Sequence, residues 1–512
     1  MDTVGHPLSR NATRGRALAV GLTVLAFAVA MVAFDASSRP IALWDESRVA
    51  VNALEMSQRG LSIVTTYAFR PDLYNTKPPL LIWLEAASIR VLGPNELAVR
   101  LPSLLAAAAT VALVLAFAWR LTRSLFVLGL SGLTLAASPG FNGEHAGMSG
   151  DYDALLTLLA TAYLLLLFDV LHHRKPSRIA VLGAGLLVAA ACLTKGVAGL
   201  VPGAGVAVYV LARGRLGRLF QTPWYLAGGC LALALVGGFY LAREAAAPGY
   251  LAAVTQNELG GRFVQGMSGH VRPAYYYLEM FAQLFAFGPL FALPVVGLAL
   301  PWPRTKSAAF LTYADVFAVV TVLVLTLSRT KIFWYLMPIY PVLSIAFAIT
   351  ARRVLQLAAR WGPRWLRRPL IGPLDTRHVV LALGLTAALG YDVYYRFAEL
   401  PAWTDLWQGH YGRVFAALDR AGARRVWTTD GGVANNDQLV HYTPQLRFYA
   451  LAWRERGLDI RAEDPDRPPT LASGAALVSC DPSRVGEVQA MGRSIVHVRG
   501  CAAVGPASAG SG

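Results

Sequence analysis

Residues 17–48 read ALAVGLTVLAFAVAMVAFDASSRPIALWDESR. An uncharged apolar run, Ala17 to Phe34, is followed by a short polar stretch and then by two adjacent acids, Asp45 and Glu46. About 20 apolar residues in a helix, rising 1.5 Å each, cross the roughly 30 Å hydrocarbon core of a bilayer. Arg10, Arg14 and Arg16 stand before the run and no clear small-residue cleavage site follows it. It therefore reads as a retained signal anchor, with the acids behind it on the far side of the membrane.

The pattern recurs outward from there. About eleven apolar runs, within a range of roughly 10 to 13, are long enough to be spans: 17–35, 99–119, 125–141, 153–170, 179–193, 196–212, 222–242, 274–299, 310–327, 332–350 and 378–395. The composition agrees. Of the 512 residues, 55% are hydrophobic and 15% charged, against about 25% charged in a soluble domain; mean hydropathy is +0.46. A formal net charge of +16 could point to nucleic acid, but no base-reading motif accompanies it, so nucleic acid is excluded as a partner. The cations fall instead in breaks between spans. One set of breaks carries Arg120 and Arg123, then Arg174, Lys175 and Arg178, then Arg213, Arg215 and Arg218, then Arg304 and Lys306, and finally the arginines after 350. The positive-inside rule makes these cytoplasmic. The alternate breaks hold Asp45, Glu46, Glu55, Asp72, Glu144, Asp151, Asp153 and Glu258, with isolated cations. They belong outside, on the periplasmic face of an inner-membrane protein.

The expected fold is a multi-pass α-helical membrane protein with a small C-terminal extracytoplasmic α/β domain. Its parts are a cytoplasmic N-terminus (1–16), a membrane module (17–395) with a large outer loop (36–98), a soluble domain (396–504) and a flexible Gly/Ala/Ser tail (505–512). Amphipathic stretches near 46–59 and 79–92 are expected along the membrane surface. In the soluble part, Arg425–Thr429 and Ala475–Ser479 read as buried strands, and 410–422 and 482–491 as helices. Cys480 and Cys501 share a compartment that permits a disulfide. No CxxC or Cys/His spacing predicts zinc. No internal repeat is visible, which weighs against a lipid or solute transporter built from repeats.

Six motifs carry candidate chemistry, each with a plainer explanation beside it. In Trp44-Asp45-Glu46-Ser47-Arg48 the carboxylates either serve a substrate or favour a helix N-terminus. In Tyr74-Asn75-Thr76-Lys77-Pro78-Pro79-Leu80 a lone ammonium stands at a helix mouth, fit for a phosphate or for snorkelling. Gly150-Asp151-Tyr152-Asp153 opens a span with two acids, which would also serve as an N-cap and first-turn pair. Lys195 sits in a tight outer turn in Leu193-Thr194-Lys195-Gly196. Glu258 and Arg262 are spaced for a helix salt bridge, with His270 and Arg272 beyond. Ser328-Arg329-Thr330-Lys331 precedes Tyr335, an interface aromatic by default. Together they gather cations, tyrosines and carboxylates at one side of an apolar bundle, which suits a substrate with an anionic head and an apolar tail.

The order DES-R, Y-x-TKPPL, an Asp-containing span start, LTKG, E-x-x-x-RF and S-x-x-K-x-x-x-Y-x-x-P resembles the bacterial aminoarabinose (lipid A) transferase family. These enzymes are relatives of the protein O-mannosyltransferases and carry the membrane glycosyltransferase fold called GT-C. The resemblance covers roughly residues 17–350 and is most specific from Asp45 to Pro102. It implies a glycosyltransferase that moves one sugar, with inversion, from a polyprenyl-phosphate donor of the undecaprenyl-phosphate type to an extracytoplasmic acceptor. Lipid A, a glycan or a protein would be that acceptor, and a mannosyltransferase for secreted protein or cell-wall polymer is the nearest rival. Asp45, Glu46 and Asp153 are then the candidate catalytic acids. Lys77, Arg262, Tyr74, Tyr335, Lys331 and Lys195 are candidates for the donor phosphate, and Asp151, Glu258 and His270 for secondary or acceptor-side roles. Thr76 and Leu259 replace a glutamate and a histidine that help to form a metal site in the family, and Val49 replaces a phosphate-contacting tyrosine. No cofactor is predicted; a divalent metal stays open as an alternative although those family ligands are absent, and no metal ligand is assigned.

Overall fold

The computed structural model describes residues 10–361 except 35, 44, 144, 146, 174, 267 and 268, scattered residues between 369 and 394, and then 410–428, 430, 444–462 and 475–505. Seven helices among the described residues are long and apolar enough to cross a membrane: Thr13–Ala33, Glu96–Thr122, Tyr152–His172, Arg178–Gly199, Pro223–Ala246, Lys306–Leu327 and Phe333–Ala358. Shorter apolar helices, Leu125–Ala136 and Val201–Ala212, fall where two further spans are expected. The expected span 274–299 is broken: Tyr276–Leu284 and Gly288–Gly297 meet at 113°. Gly288 sits at φ 54° there, a left-handed conformation that glycine adopts without strain. Pro289 and Pro294 then remove backbone donors from the second half. Of the expected span 378–395 only residues 383, 386, 387, 389–391, 393 and 394 are described, all helical, and the tail after 505 lies outside the described residues.

Of the two outer-loop stretches expected along the membrane surface, the first is covered by protein. The helix Asp45–Arg59 is buried continuously from Glu46 to Met56. It packs on the helix Leu80–Leu92 and on the C-terminal helix Pro444–Arg454. Its polar residues are satisfied inside the protein: Arg48 makes a bidentate pair with Asp72 (2.9 and 2.7 Å), and Glu55 pairs with Arg447 at 2.7 Å. An amphipathic pattern therefore marks a helix caught between two protein layers.

The C-terminal part forms a five-stranded sheet in the order Asp459–Ala462, Arg425–Thr428, Ala476–Ser479, Ala502–Gly505, Arg493–Ser494. The first three strands run parallel and the last two pair antiparallel. Cys480 and Cys501 are joined by a disulfide. The sheet docks on the outer loop through Tyr449, whose hydroxyl donates to Glu96 (2.8 Å) and accepts from the Ile41 amide (3.1 Å), and through Gln445, which donates to the Ile41 carbonyl at 2.7 Å.

Candidate active site

The acidic side of the site begins with the neighbours Asp45 and Glu46, whose surroundings differ. Glu46 is 1% exposed. Its Oε1 accepts from Arg100 Nε (2.7 Å) and the Gly150 amide (2.8 Å), and its Oε2 from Arg100 Nη2 (3.0 Å) and the Ala42 amide (2.6 Å). A carboxylate has about four acceptor positions, so none is left for a substrate. Burial pushes the Glu46 carboxyl up, but the Arg100 guanidinium holds it below the usual range. Expected among the catalytic acids, Glu46 is instead a structural anchor. Arg100 donates its remaining hydrogens to the carbonyls of Ala36, Arg39 and Pro40, which pins the entrance of the outer loop. Asp45 is only partly buried, and its carboxylate makes no hydrogen bond to a described residue.

The turn carrying Tyr74 and Lys77 is shaped by Asp72. Its Oδ1 accepts from the amides of Tyr74 (3.0 Å) and Asn75 (3.1 Å), while Arg48 holds the other edge. Asn75 donates to the Tyr152 hydroxyl at 2.9 Å, and the Tyr250 hydroxyl donates to the Thr76 carbonyl at 2.7 Å. Pro79 then starts the helix Leu80–Leu92, leaving Lys77 at its mouth. The Lys77 ammonium lies 5.6 Å from the Tyr152 ring centroid. No described residue takes a hydrogen bond from it.

The basic side comes from a π-helical segment, Thr255–Gln265, and the turn after the Lys306–Leu327 helix. Arg262 donates to the Tyr335 hydroxyl (2.7 Å) and lies 3.4 Å from Glu258, whose other oxygen accepts from Thr76 Oγ1 at 2.8 Å. Burial pushes the Glu258 carboxyl up, and the charges of Lys77 and Arg262 bring it below its ordinary value. Lys77 and Arg262 thus act on one carboxylate from two separate parts of the chain. Lys195 donates to Asp153 at 2.5 Å and sits 5.3 Å from the Tyr335 ring centroid. Burial raises the Tyr74 hydroxyl pKa, and the Asp45 charge adds to the rise. Burial lowers the His270 pKa, and so does Arg272, against the pull of Asp45. Asp45, Tyr74, Arg262 and His270 are therefore in electrostatic reach of one another. Lys331, by contrast, turns its ammonium to the Ser328 carbonyl at 2.7 Å.

Asp151 caps the helix Tyr152–His172 and accepts from the Tyr152 amide and the His145 ring, both at 2.7 Å. His145 stacks on Trp334 with centroids 4.0 Å apart. Neither His145 nor Trp334 stood out in the sequence, because a lone histidine and an aromatic in an apolar run carry no spacing signal. A metal at the place implied by the family resemblance does not fit. The two ligand positions there hold Thr76, whose hydroxyl donates to Glu258 (2.8 Å), and Leu259, an aliphatic residue with no donor atom for a metal.

Residues 76–240 match the family model described as dolichyl-phosphate-mannose-protein mannosyltransferase. ArnT from Cupriavidus metallidurans, solved bound to undecaprenyl phosphate, superposes with a TM-score of 0.65 at 17% identity, covering 98% of this chain and 99% of that one. The chain has an ArnT-like GT-C fold. The same GT-C architecture relates it to the oligosaccharyltransferase AglB from Archaeoglobus fulgidus, solved with an inhibitory peptide and a dolichol-phosphate (TM-score 0.53, 12% identity, 85% of this chain and 63% of that one). Undecaprenyl phosphate-alpha-4-amino-4-deoxy-L-arabinose arabinosyl transferases of Aeromonas salmonicida and Aeromonas hydrophila are 28% and 27% identical over 333 residues, 62% of this chain. The matched region spans 57% of the length of each of those relatives. The GT-C fold places the chain in a membrane as a multi-pass protein.

Proposed function

We propose that the protein is a glycosyltransferase that moves a single sugar from a polyprenyl-phosphate donor to an acceptor at the outer face of the inner membrane. One observation carries the reading: Lys77, Arg262, Tyr335 and Lys195 converge beside Asp45 at one end of an apolar helix bundle. A phosphate on a lipid tail is the ligand that such a boundary suits. The ArnT and AglB structures, each solved with a lipid-linked phosphate, support the same substrate class.

In the proposed reaction the bond between the anomeric carbon and the carrier phosphate oxygen breaks as an acceptor oxygen bonds to the opposite face of that carbon. The configuration inverts and the polyprenyl phosphate leaves with the electron pair. Lys77 and Arg262 meet the charge that develops on the leaving phosphate, with Tyr335 orienting Arg262, an electrostatic contribution that grows as water is excluded. Glu258, kept ionised between those two cations, holds them in register. Asp45, whose carboxylate makes no hydrogen bond to a described residue, takes the proton of a hydroxyl acceptor or orients a phosphate acceptor such as that of lipid A. Glu46 and Asp72 fix the loop that carries Asp45, Tyr74 and Lys77.

Orientation follows from charge. Arg120, Arg123, Arg178, Arg213 and Arg215 end or begin spans away from the site, so the site faces the periplasm if those ends are cytoplasmic. The test is transfer in proteoliposomes containing the purified full-length protein and labelled polyprenyl-phosphate sugars, aminoarabinose and mannose among them. Transfer from at least one donor is expected, and failure with the whole panel in the presence of lipid A, peptide and glycan acceptors would overturn the reading.

A further inference from the structure

We propose that a groove at the end of the bundle away from the site holds one acyl chain of an anionic phospholipid, with the lipid phosphate at Arg213 and Arg215. The groove, of about 350 Å³, runs between the helices Tyr152–His172, Arg178–Gly199 and Val201–Ala212, and the short helix Leu216–Gln221 lines its mouth. Tyr163 and Leu171 mark its extent along the first of these helices. At 1.5 Å per residue they stand about 12 Å apart, close to one leaflet of a hydrocarbon core roughly 30 Å thick. The groove is therefore deep enough for an acyl chain of that leaflet and too shallow for a chain that crosses the bilayer. Its walls are apolar. The two tyrosines in them have their hydroxyls satisfied by backbone: Tyr163 donates to the Gly199 carbonyl (3.1 Å) and Tyr225 to the Val170 carbonyl (3.2 Å). Leu200, Leu211 and Leu216 line the groove and are exposed, so it opens sideways to lipid.

An apolar groove selects nothing in a bilayer, because lipid tails are as apolar as its walls. Selection comes from the charge at its mouth. Gly214, at φ 60°, ends the helix Val201–Ala212 in a tight turn, which the Arg215 amide closes on the Val210 carbonyl (3.0 Å). The turn sets Arg213 and Arg215 beside the groove. Arg215 Nη1 donates to the carbonyl of Leu171, a wall residue, at 2.7 Å, which leaves the other donors of its guanidinium for a phosphate. The Arg213 guanidinium lies 5.7 Å from the Tyr209 ring centroid, and that of Arg178 lies 5.9 Å from the Trp224 centroid. No described carboxylate pairs with any of these three arginines, and Asp169, the acid at that end of the Tyr152–His172 helix, is paired with Arg120. Cations without acids at the polar edge of an apolar groove fit a phosphate above a hydrocarbon chain. The class of ligand follows from these residues alone; only the leaflet, the cytoplasmic one, rests on the orientation proposed above.

The test uses the purified full-length protein in detergent, with phosphatidylglycerol and phosphatidylethanolamine as probes and native mass spectrometry to count and titrate bound lipid. One phosphatidylglycerol per chain is expected, held at least about tenfold more tightly than phosphatidylethanolamine. The double variant Arg213→Gln/Arg215→Gln, in which a glutamine still offers a donor to the Leu171 carbonyl, should lose that preference. Gly203→Leu fills the groove from a wall position where an added Cβ meets open space, and should release both lipids. An unchanged melting profile and unchanged undecaprenyl phosphate binding report that both variants are folded. Equal affinity of the unmodified protein for the two lipids, or a preference that survives the double arginine variant, overturns the proposal. Displacement of phosphatidylglycerol by equimolar undecaprenyl phosphate would give the groove to a polyprenyl chain, and dimers that Gly203→Leu separates would give it to a second copy. Either result also overturns it.

Discussion

The two sides of the pocket are built in different ways. The acidic side, made by the outer loop and the start of the Tyr152–His172 helix, is locked by buried ion pairs. Glu46 with Arg100, Asp72 with Arg48, and Glu55 with Arg447 are all nearly inaccessible to water. The basic side hangs on a π-helical segment and a few backbone hydrogen bonds, such as Thr330 N to the Arg262 carbonyl (3.1 Å) and Lys331 N to the His270 carbonyl (2.9 Å). Its side chains are more open: those of Arg262 and Glu258 are 24% and 27% exposed. The contrast teaches that nearby acids of the same type can serve different ends. Those that are fully hydrogen-bonded hold the frame, and Asp45, which makes no hydrogen bond to a described residue, is available for chemistry.

Changes on the two sides should therefore fail differently. The largest effect is expected from Asp45→Asn. With a hydroxyl acceptor, transfer should fall about 10²–10⁴-fold, while with a phosphate acceptor the loss should stay within about tenfold. Rates with each acceptor class decide between them, and a fully active variant with both would remove Asp45 from the site. Arg262→Ala should lower the transfer rate by about 10²–10³-fold, the scale for losing one charge-stabilising donor, with an unchanged melting profile. Arg100→Ala should act on the frame, destabilising the fold by about 3–5 kcal/mol because Glu46 is left charged and unpaired in the interior. Chemical denaturation in detergent would measure it. Tyr335→Phe removes one hydrogen bond to a guanidinium, and a loss of about 1.5–3 kcal/mol in transition-state stabilisation is expected.

Acidification tests the frame. The carboxyls of Glu46 and Asp72 titrate below their ordinary values, burial raising them and the arginines Arg100 and Arg48 more than compensating. A carboxylate with a depressed folded pKa stabilises the fold above the unfolded value, near 4, and loses that contribution as pH falls below it. Stability should hold from neutral pH down to about 4 and decline below. Flat stability to about pH 2 would contradict the account of the frame.

Much of this was legible in the sequence, for reasons that particular residues make plain. Alternating basic and acidic breaks follow from membrane insertion, and the lone cations Lys77 and Arg262 stood out because charge at a span's edge is costly without a use. The break at Gly288 was hidden, since 274–299 is apolar throughout and hydropathy does not sense a bend. Proline and glycine were the only local signs of it. Arg100 was masked by the apolar run around it, though a buried arginine requires a partner, which Glu46 supplies. His145 was invisible because its role depends on Asp151 and Trp334, brought to it by tertiary packing alone. The outer-loop helix misled in another way: amphipathicity shows that a helix has two unlike faces, but not whether protein or lipid covers them.

The central claim is that Lys77 and Arg262, far apart in sequence, hold one lipid-borne phosphate between them. Titration calorimetry of the purified full-length protein with undecaprenyl phosphate, alongside the double variant Lys77→Ala/Arg262→Ala, measures this directly. The account predicts saturable binding by the unmodified protein and at least about 100-fold weaker binding by the double variant, two charge-assisted contacts each being worth about 1.5–3 kcal/mol. Equal affinity in the two proteins, with both folded, would contradict it.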